Sequence, residues 1–252
     1  MPHEAIRRKA NTLQFAGFRV FLKEEIMTDK ASIVFAHGLW ADGSCFSKLI
    51  PTLQAEGHTV WASQHGLDSL EGDVACVTRG INHVPGPVVL VGHSYGGTLI
   101  TKAGMHDRVG ALVYICALAP DETETSQDQQ NKFDKTPVFG HIEVADNRVY
   151  LKESGIGHFC GDLPEAEQKL VLATGAVPIA DIFDQQVPGT AWRTKPSWFI
   201  VGNQDETVNP ELQRAAVARM GAHPRPVDSS HVPMLSQPDF VLDVIREAAK
   251  SL

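Results

Sequence analysis

The sequence predicts an α/β fold: a doubly wound, mostly parallel sheet carrying an inserted, mainly helical cap. Three observations carry that reading. From residue 31 onward, short apolar runs alternate with amphipathic stretches, as strands and helices do when they build a parallel sheet covered on both faces. One of those runs leads straight into Gly-x-Ser-x-Gly ahead of helix-compatible sequence. The alternation then stops between Pro120 and Pro196 and resumes after it.

Taken in order, Ile33–Ala36, Thr59–Ala62, Val88–Val91, Ala111–Cys116 and Trp198–Val201 are apolar runs of strand length. Between the first two, Phe46–Glu56 sets Phe46, Leu49, Ile50 and Leu53 three and four apart on one helical face, and Gly57 stops it. Gly96–Gly104 and Glu211–Met220 follow strands and read as helices. Pro238–Ala249 closes the chain with a stripe of Phe240, Val241, Val244, Ile245 and Ala248. Asp121–Lys195 far exceeds an ordinary connection of about 4–6 residues. It opens on the polar Asp121–Gln130 and later sets Leu163, Ala166, Leu170, Val171 and Ala173 at helical spacing within Leu163–Thr174, an apolar underside. We therefore expect a cap at 121–195 inserted into a core of 31–120 and 196–252, with 1–30 as an N-terminal extension. The cap is expected to shape the pocket and exclude water without supplying catalytic groups.

Composition removes several classes of partner. With 22 basic against 30 acidic residues the formal charge is −8, and no block of five basic residues overrides it, so nucleic acid is excluded as a partner. Cys45, Cys76, Cys116 and Cys160 are too scattered for a CxxC metal site or a dense disulfide framework, which fits a reducing compartment. No apolar run reaches the roughly 18 residues of a membrane helix. Met1–Lys30 lacks a secretory apolar stretch, and its Glu4, Glu24 and Glu25 are foreign to an acid-poor transit peptide, so a cytoplasmic location is expected. No feature of the sequence specifies an oligomeric state.

The chemistry gathers at three places. Val88-Val-Leu-Val-Gly92-His93-Ser94-Tyr95-Gly96-Gly97 runs a strand into a tight turn at Ser94, and the residues two before and two after the serine must be small to avoid each other and the neighbouring strands. The turn puts Ser94 at a helix N-terminus, where free N–H groups favour developing negative charge. In this arrangement the acid and base follow the serine in the order Ser, Asp/Glu, His. Asp205 ends Trp198-Phe-Ile-Val-Gly-Asn-Gln-Asp205, and His231 lies in Asp228-Ser-Ser-His231-Val-Pro-Met, before the last helix; both sit where carboxyl ends of strands bind ligands. Asp121, Asp228 and Glu206 are alternative acids. Ala36-His37-Gly38-Leu39-Trp40 ends an early strand, so the Leu39 and Tyr95 amides are the candidate oxyanion donors.

These residues resemble the α/β-hydrolases, and within them the branch of plant methylesterases and hydroxynitrile lyases with their bacterial relatives. The likeness runs from about Ile33 to Ala249, outside much of the cap. It rests on His37-Gly38 with Gly43-Ser44, Leu53-x-x-x-Gly57-His58-x-Val60, Gly92-His93-Ser94-x-Gly96-Gly97, Ala119-Pro120-Asp121 and His231-x-x-Met234-Leu235-x-x-Pro238. The resemblance implies the α/β-hydrolase fold and ester hydrolysis through an acyl-enzyme on Ser94, Asp205 and His231. Lyases of the branch carry Thr at the position of Gly38 and Lys after the histidine. Gly38 and Val232 stand there instead, which favours an esterase, with lyase chemistry or a weakly hydrolytic ligand receptor as alternatives.

Gly38, Trp40, Phe133, Phe139, Phe159, Trp192 and Met234 are candidate pocket residues for a small-molecule ester. His58, His65, His83, His106, His141, His158 and His223 form no HExxH or His-x-His pair, so no metal is expected. Gly92-x-x-x-Gly96-Gly97 lacks a Walker lysine and GxGxxG spacing, and no cofactor is expected either.

Overall fold

The computed structural model describes residues 30–186 and 188–252; the rest of the expected N-terminal extension lies outside the described residues. Four strands form the centre of the sheet: β1 (Ser32–Ala36), β3 (Val88–His93), β4 (Val109–Ile115) and β7 (Ser197–Gly202). Nearly every residue in them is buried, as expected of parallel strands covered on both faces. With β2 (Val60–Ala62) and β8 (His223–Val227) they form one sheet of order β2-β1-β3-β4-β7-β8, parallel throughout. The order reverses between β1 and β3, and ligands in open α/β sheets bind outside the carboxyl ends at such a point.

β8 went unrecognised in the sequence because it reads His-Pro-Arg-Pro-Val, and proline demotes a strand. It forms at the sheet edge, where Asn203 N–H donates to Val227 O at 2.9 Å. The helices cover both faces: α1 (Ile50–Ala55), α2 (Leu70–His83), α3 (Gly96–Ala103), α7 (Pro210–Met220), the short α8 (Pro233–Ser236) and α9 (Pro238–Lys250). α2 is a second element the apolar spacing did not mark, because Gly72 and Gly80 interrupt it. Ser69 caps its first turn, accepting the Gly72 N–H at 3.1 Å, and Val77 and Ile81 are buried. α9 buries Val241, Leu242, Val244, Ile245 and Ala248, each worth up to about 1.5–3 kcal/mol for the larger chains.

Between β4 and β7 the chain forms α4 (Ser126–Gln130), a hairpin of β5 (Ile142–Ala145) and β6 (Arg148–Leu151), α5 (Ile156–Cys160) and α6 (Glu165–Thr174). Thr125 and Asp128 cap α4 reciprocally. The segment is mainly helical, as expected, with this hairpin added to it. Asp146 and Asn147, both at positive φ (50° and 59°), form the two-residue turn that matches strand twist. α6 itself buries none of its residues fully; of the expected apolar underside, Leu163 is buried in the core and Val171 packs partly buried against it, while Leu170 is exposed. The segment lies on the loops that follow the strands. Ala176 O accepts the Trp40 N–H at 3.0 Å, Ile179 N–H donates to Leu67 O at 2.9 Å, and Val138 N–H donates to Glu206 O at 3.2 Å. Among the described residues, no helix is long and apolar enough to cross a membrane.

Candidate active site

Ser94 leaves β3 with φ of +55°, a conformation strained for a residue with a side chain, and its N–H donates to Ile115 O at 3.0 Å. The turn closes only because its flanks are bare. A Cβ on Gly92 would lie 2.4 Å from Gly96 O, and one on Gly96 would lie 2.1 Å from Ala36 O in β1. The two glycines thus meet each other and the adjacent strand, as the motif requires. Gly38, after β1, lies against the serine, since a Cβ there would sit 2.6 Å from Ser94 Cβ.

Asp205 and His231, from the loops after β7 and β8, meet in the interior. His231 Nδ1 donates to Asp205 Oδ2 at 2.8 Å, both residues buried. Asp205 Oδ1 accepts the N–H groups of Thr207 (2.8 Å) and Val208 (2.9 Å), while Oδ2 also accepts Gln213 Nε2–H at 2.7 Å. Every other partner of the carboxylate is a donor, so it accepts from His231 and leaves the Nε2 lone pair free. His231 Nε2 is buried without a partner, and no hydrogen bond joins it to Ser94 among the described residues. Contacts of this kind are often long before substrate binds. The alternative acids lie elsewhere: Asp121 pairs with Arg193, Asp228 accepts Asn203 Nδ2–H at 2.8 Å, and Glu206 pairs with His158.

The pair is held by residues that were given no role in the sequence reading. Gln213, fully buried on α7, accepts the Gly202 N–H through Oε1 (3.1 Å) and donates to both Asp205 and Val208 O. A polar residue between Leu212 and Ala216 in the buried stripe of α7 was its only trace in the sequence. His93 donates Nε2–H to His231 O at 2.8 Å, and burial lowers its pKa well below the usual histidine range. Asp162, between α5 and α6, accepts Ser229 Oγ–H and Ser230 N–H, both at 2.9 Å, and the Ser230 hydroxyl. Burial pushes its carboxyl up, but these bonds outweigh burial and bring it below the ordinary carboxylate value.

Cys116 Sγ, Asp205 and His231 offer ligand atoms within 4.8 Å of one another. Their donors are already committed: burial pushes the thiol pKa up, and the His231 nitrogen facing Asp205 is hydrogen-bonded. The set suits a proton-transfer pair better than a cation.

The Leu39 and Tyr95 N–H groups meet no protein acceptor among the described residues, and Tyr95 is the N-cap of α3. Leu39, Trp40, Phe139 and Phe183 line a cavity of only 20 Å³ at Ser94. It adjoins a recess of 280 Å³ with mixed polar and apolar walls through Gln130, Phe139 and Thr207, and Phe133 lines that recess. A larger cavity of 480 Å³ is walled by Phe159, Val232 and Leu235. Two bulky candidate pocket residues line none of these three cavities. Trp192 is buried with its Nε1–H toward Pro120 O (3.4 Å) and the Arg193 and Arg219 guanidinium groups over its ring. Met234 is fully buried in α8. Both were singled out for apolar bulk, and both serve packing instead.

Residues 33–244 match the alpha/beta hydrolase family. The carbendazim hydrolyzing esterase of Nocardioides sp. (strain SG-4G) is 33% identical over 111 residues, 38% of this chain and 45% of that protein, so the match spans less than half of that relative. Methylesterase 8 of Arabidopsis thaliana is 24% identical over 265 residues, 87% of this chain and 89% of that one. The crystal structure of polyneuridine aldehyde esterase superposes with a TM-score of 0.76 at 18% identity, covering 86% of this chain and 98% of the other.

Proposed function

The chain belongs to the alpha/beta hydrolase family, and on that premise we propose a serine esterase that cleaves small carboxylic esters through an acyl-enzyme on Ser94. It is a carboxylic ester hydrolase, as its esterase and methylesterase relatives are named. The observation that carries the finer reading is the buried 2.8 Å contact of Asp205 with His231, at the same sheet edge as the strained Ser94 turn.

In this mechanism His231 Nε2 takes the Ser94 proton as Oγ attacks the ester carbonyl. Asp205 keeps the imidazole in the tautomer with Nε2 bare and stabilises its cationic form. The Leu39 and Tyr95 amides receive the oxyanion, an effect of about 2.7–4 kcal/mol per donor. His231 then protonates the departing alkoxide and activates water to release the acid. These steps use no metal or cofactor and no nucleic acid or membrane partner, and the expected cytoplasmic location stands with them as a proposal. Ser94→Ala is expected to abolish p-nitrophenyl acetate turnover, and a fluorophosphonate probe to label Ser94 in the native protein. An unlabelled serine would favour a ligand receptor.

A further inference from the structure

We propose that the 480 Å³ cavity beside His231 receives the alcohol half of the ester, and that its apolar walls select substrates esterified to bulky apolar alcohols. The inference rests on the serine-esterase reading above. The 20 Å³ at Ser94 has room for about one water, so an ester needs a second space.

The chemistry decides on which side that space must lie. When the tetrahedral intermediate collapses, the bond from acyl carbon to alcohol oxygen breaks, its electron pair stays on that oxygen, and the His231 Nε2 proton moves to it. The acyl group remains on Ser94 Oγ. The alcohol therefore leaves on the His231 side. There the large cavity begins: Val232 follows His231 directly, and the Phe159 ring, which walls the cavity, lies 5.1 Å from the His231 ring.

Phe159 also meets Trp40 edge-on at 6.1 Å, and Trp40 lines the Ser94 cavity, so these two rings form the partition. Trp40 is pinned, its N–H to Ala176 O at 3.0 Å and its Nε1–H to Val149 O at 2.8 Å. The two spaces share no lining residue, and the Phe159 side chain has only van der Waals partners, so an ester spanning both requires that ring to turn aside.

The walls fit an apolar occupant. α6 turns Glu167, Leu170, Val171 and Thr174 toward the cavity, spacings of three, four and seven that make one helical face. A surface helix normally buries such a stripe; here no residue of α6 is buried and Leu170 is 62% exposed. The charges at the mouth satisfy each other, since Lys48 Nζ donates to Glu167 Oε2 at 2.7 Å and to Leu235 O at 2.9 Å. The recess on the other side mixes Phe133, Phe139, Ile142 and Leu212 with Gln127, Gln130, Asn131, Asp134 and Lys135, and so suits an apolar chain less well.

The test varies the two halves of the ester separately, in n-alkyl acetates from methyl to octyl and methyl esters from acetate to octanoate. In the native enzyme kcat/KM is expected to rise along the alcohol series, with 1-octanol a competitive inhibitor. Leu170→Trp, at an exposed position that tolerates bulk, and Val171→Trp should each lower the octyl-to-methyl ratio of the alcohol series about tenfold and weaken octanol inhibition. The ratio along the acid series should stay as in the native enzyme. A probe-labelled variant with an unchanged alcohol series, or one that loses the acid series instead, overturns the assignment. Absence of labelling in the native enzyme is a separate result, which removes the esterase reading and the chamber with it.

Discussion

Asp162 Oδ2 accepts the Ser230 N–H at 2.9 Å, so a carboxylate from the segment between β4 and β7 holds the loop that ends in His231. The inserted segment thus does more than shape a pocket. Hydrogen bonds to a charged group contribute about 1.5–3 kcal/mol, so Asp162→Ala should cut kcat roughly tenfold or more with little change in KM. Asp162→Asn should recover part of that loss, since its amide oxygen still accepts the Ser230 N–H. Steady-state kinetics of both variants decide it; a change confined to KM argues for a substrate contact instead.

Gln213 offers a second lever on the same pair. Gln213→Leu keeps the volume but strands the Gly202 N–H and removes one donor from Asp205, a cost of about 1–3 kcal/mol in unfolding free energy. Gln213→Glu sets a second carboxylate against Asp205 and should lower kcat/KM further. Urea denaturation alongside p-nitrophenyl acetate kinetics tests both, and wild-type stability in the leucine variant would contradict the role.

Acid should destabilise the fold through its buried histidines. Burial lowers the pKa of His37 and His93, and brings His65, stacked on His37 at 3.6 Å, down to about 2. Below about pH 6.5 the unfolded chain binds protons that the folded chain refuses, so stability falls with pH by up to about 1.4 kcal/mol per unit for each histidine. Asp73 opposes this. Burial raises its carboxyl to about 6, so between there and its unfolded value near 3.8 the folded state binds the extra proton and gains stability on acidification. His65→Phe should flatten the acid slope of unfolding free energy between pH 6.5 and 5; an unaltered slope would mean that His65 titrates in the folded state.

Gly38 bears on the choice between hydrolase and lyase. The threonine of related lyases would place its Cβ 2.6 Å from Ser94 Cβ, closer than such atoms approach. Gly38→Thr is therefore expected to lose esterase turnover by about a hundredfold or more without gaining cyanide release from mandelonitrile. Cyanide release above the uncatalysed rate, from either protein, would restore the lyase alternative.

The sequence made the central strands legible because β1, β3, β4 and β7 are buried on both faces and read as unbroken apolar runs. The candidates Ser94, Asp205 and His231 could be named because the elbow after β3 marks the serine and an acid past β7 and a histidine before the last helix follow it in chain order. What escaped was held by other signals. β8 hides behind two prolines, α2 behind two glycines, and the β5–β6 hairpin behind its Asp146-Asn147 turn. Gln213 stands as a lone polar residue in an apolar stripe, and His93 and Asp162 act through tertiary hydrogen bonds to positions 138 and 68 residues away, distances over which no local pattern extends.

The prolines of β8 also govern how the sheet ends. Val227 turns its carbonyl inward to Asn203, so Pro224 and Pro226, at the alternate positions, face the open side. That margin lacks amide hydrogens at both sites and cannot template another strand. At the opposite margin β2 is three residues long, too short to recruit one. At these two margins of the described sheet, concentrated solutions of the enzyme should therefore resist fibrillar, strand-upon-strand growth.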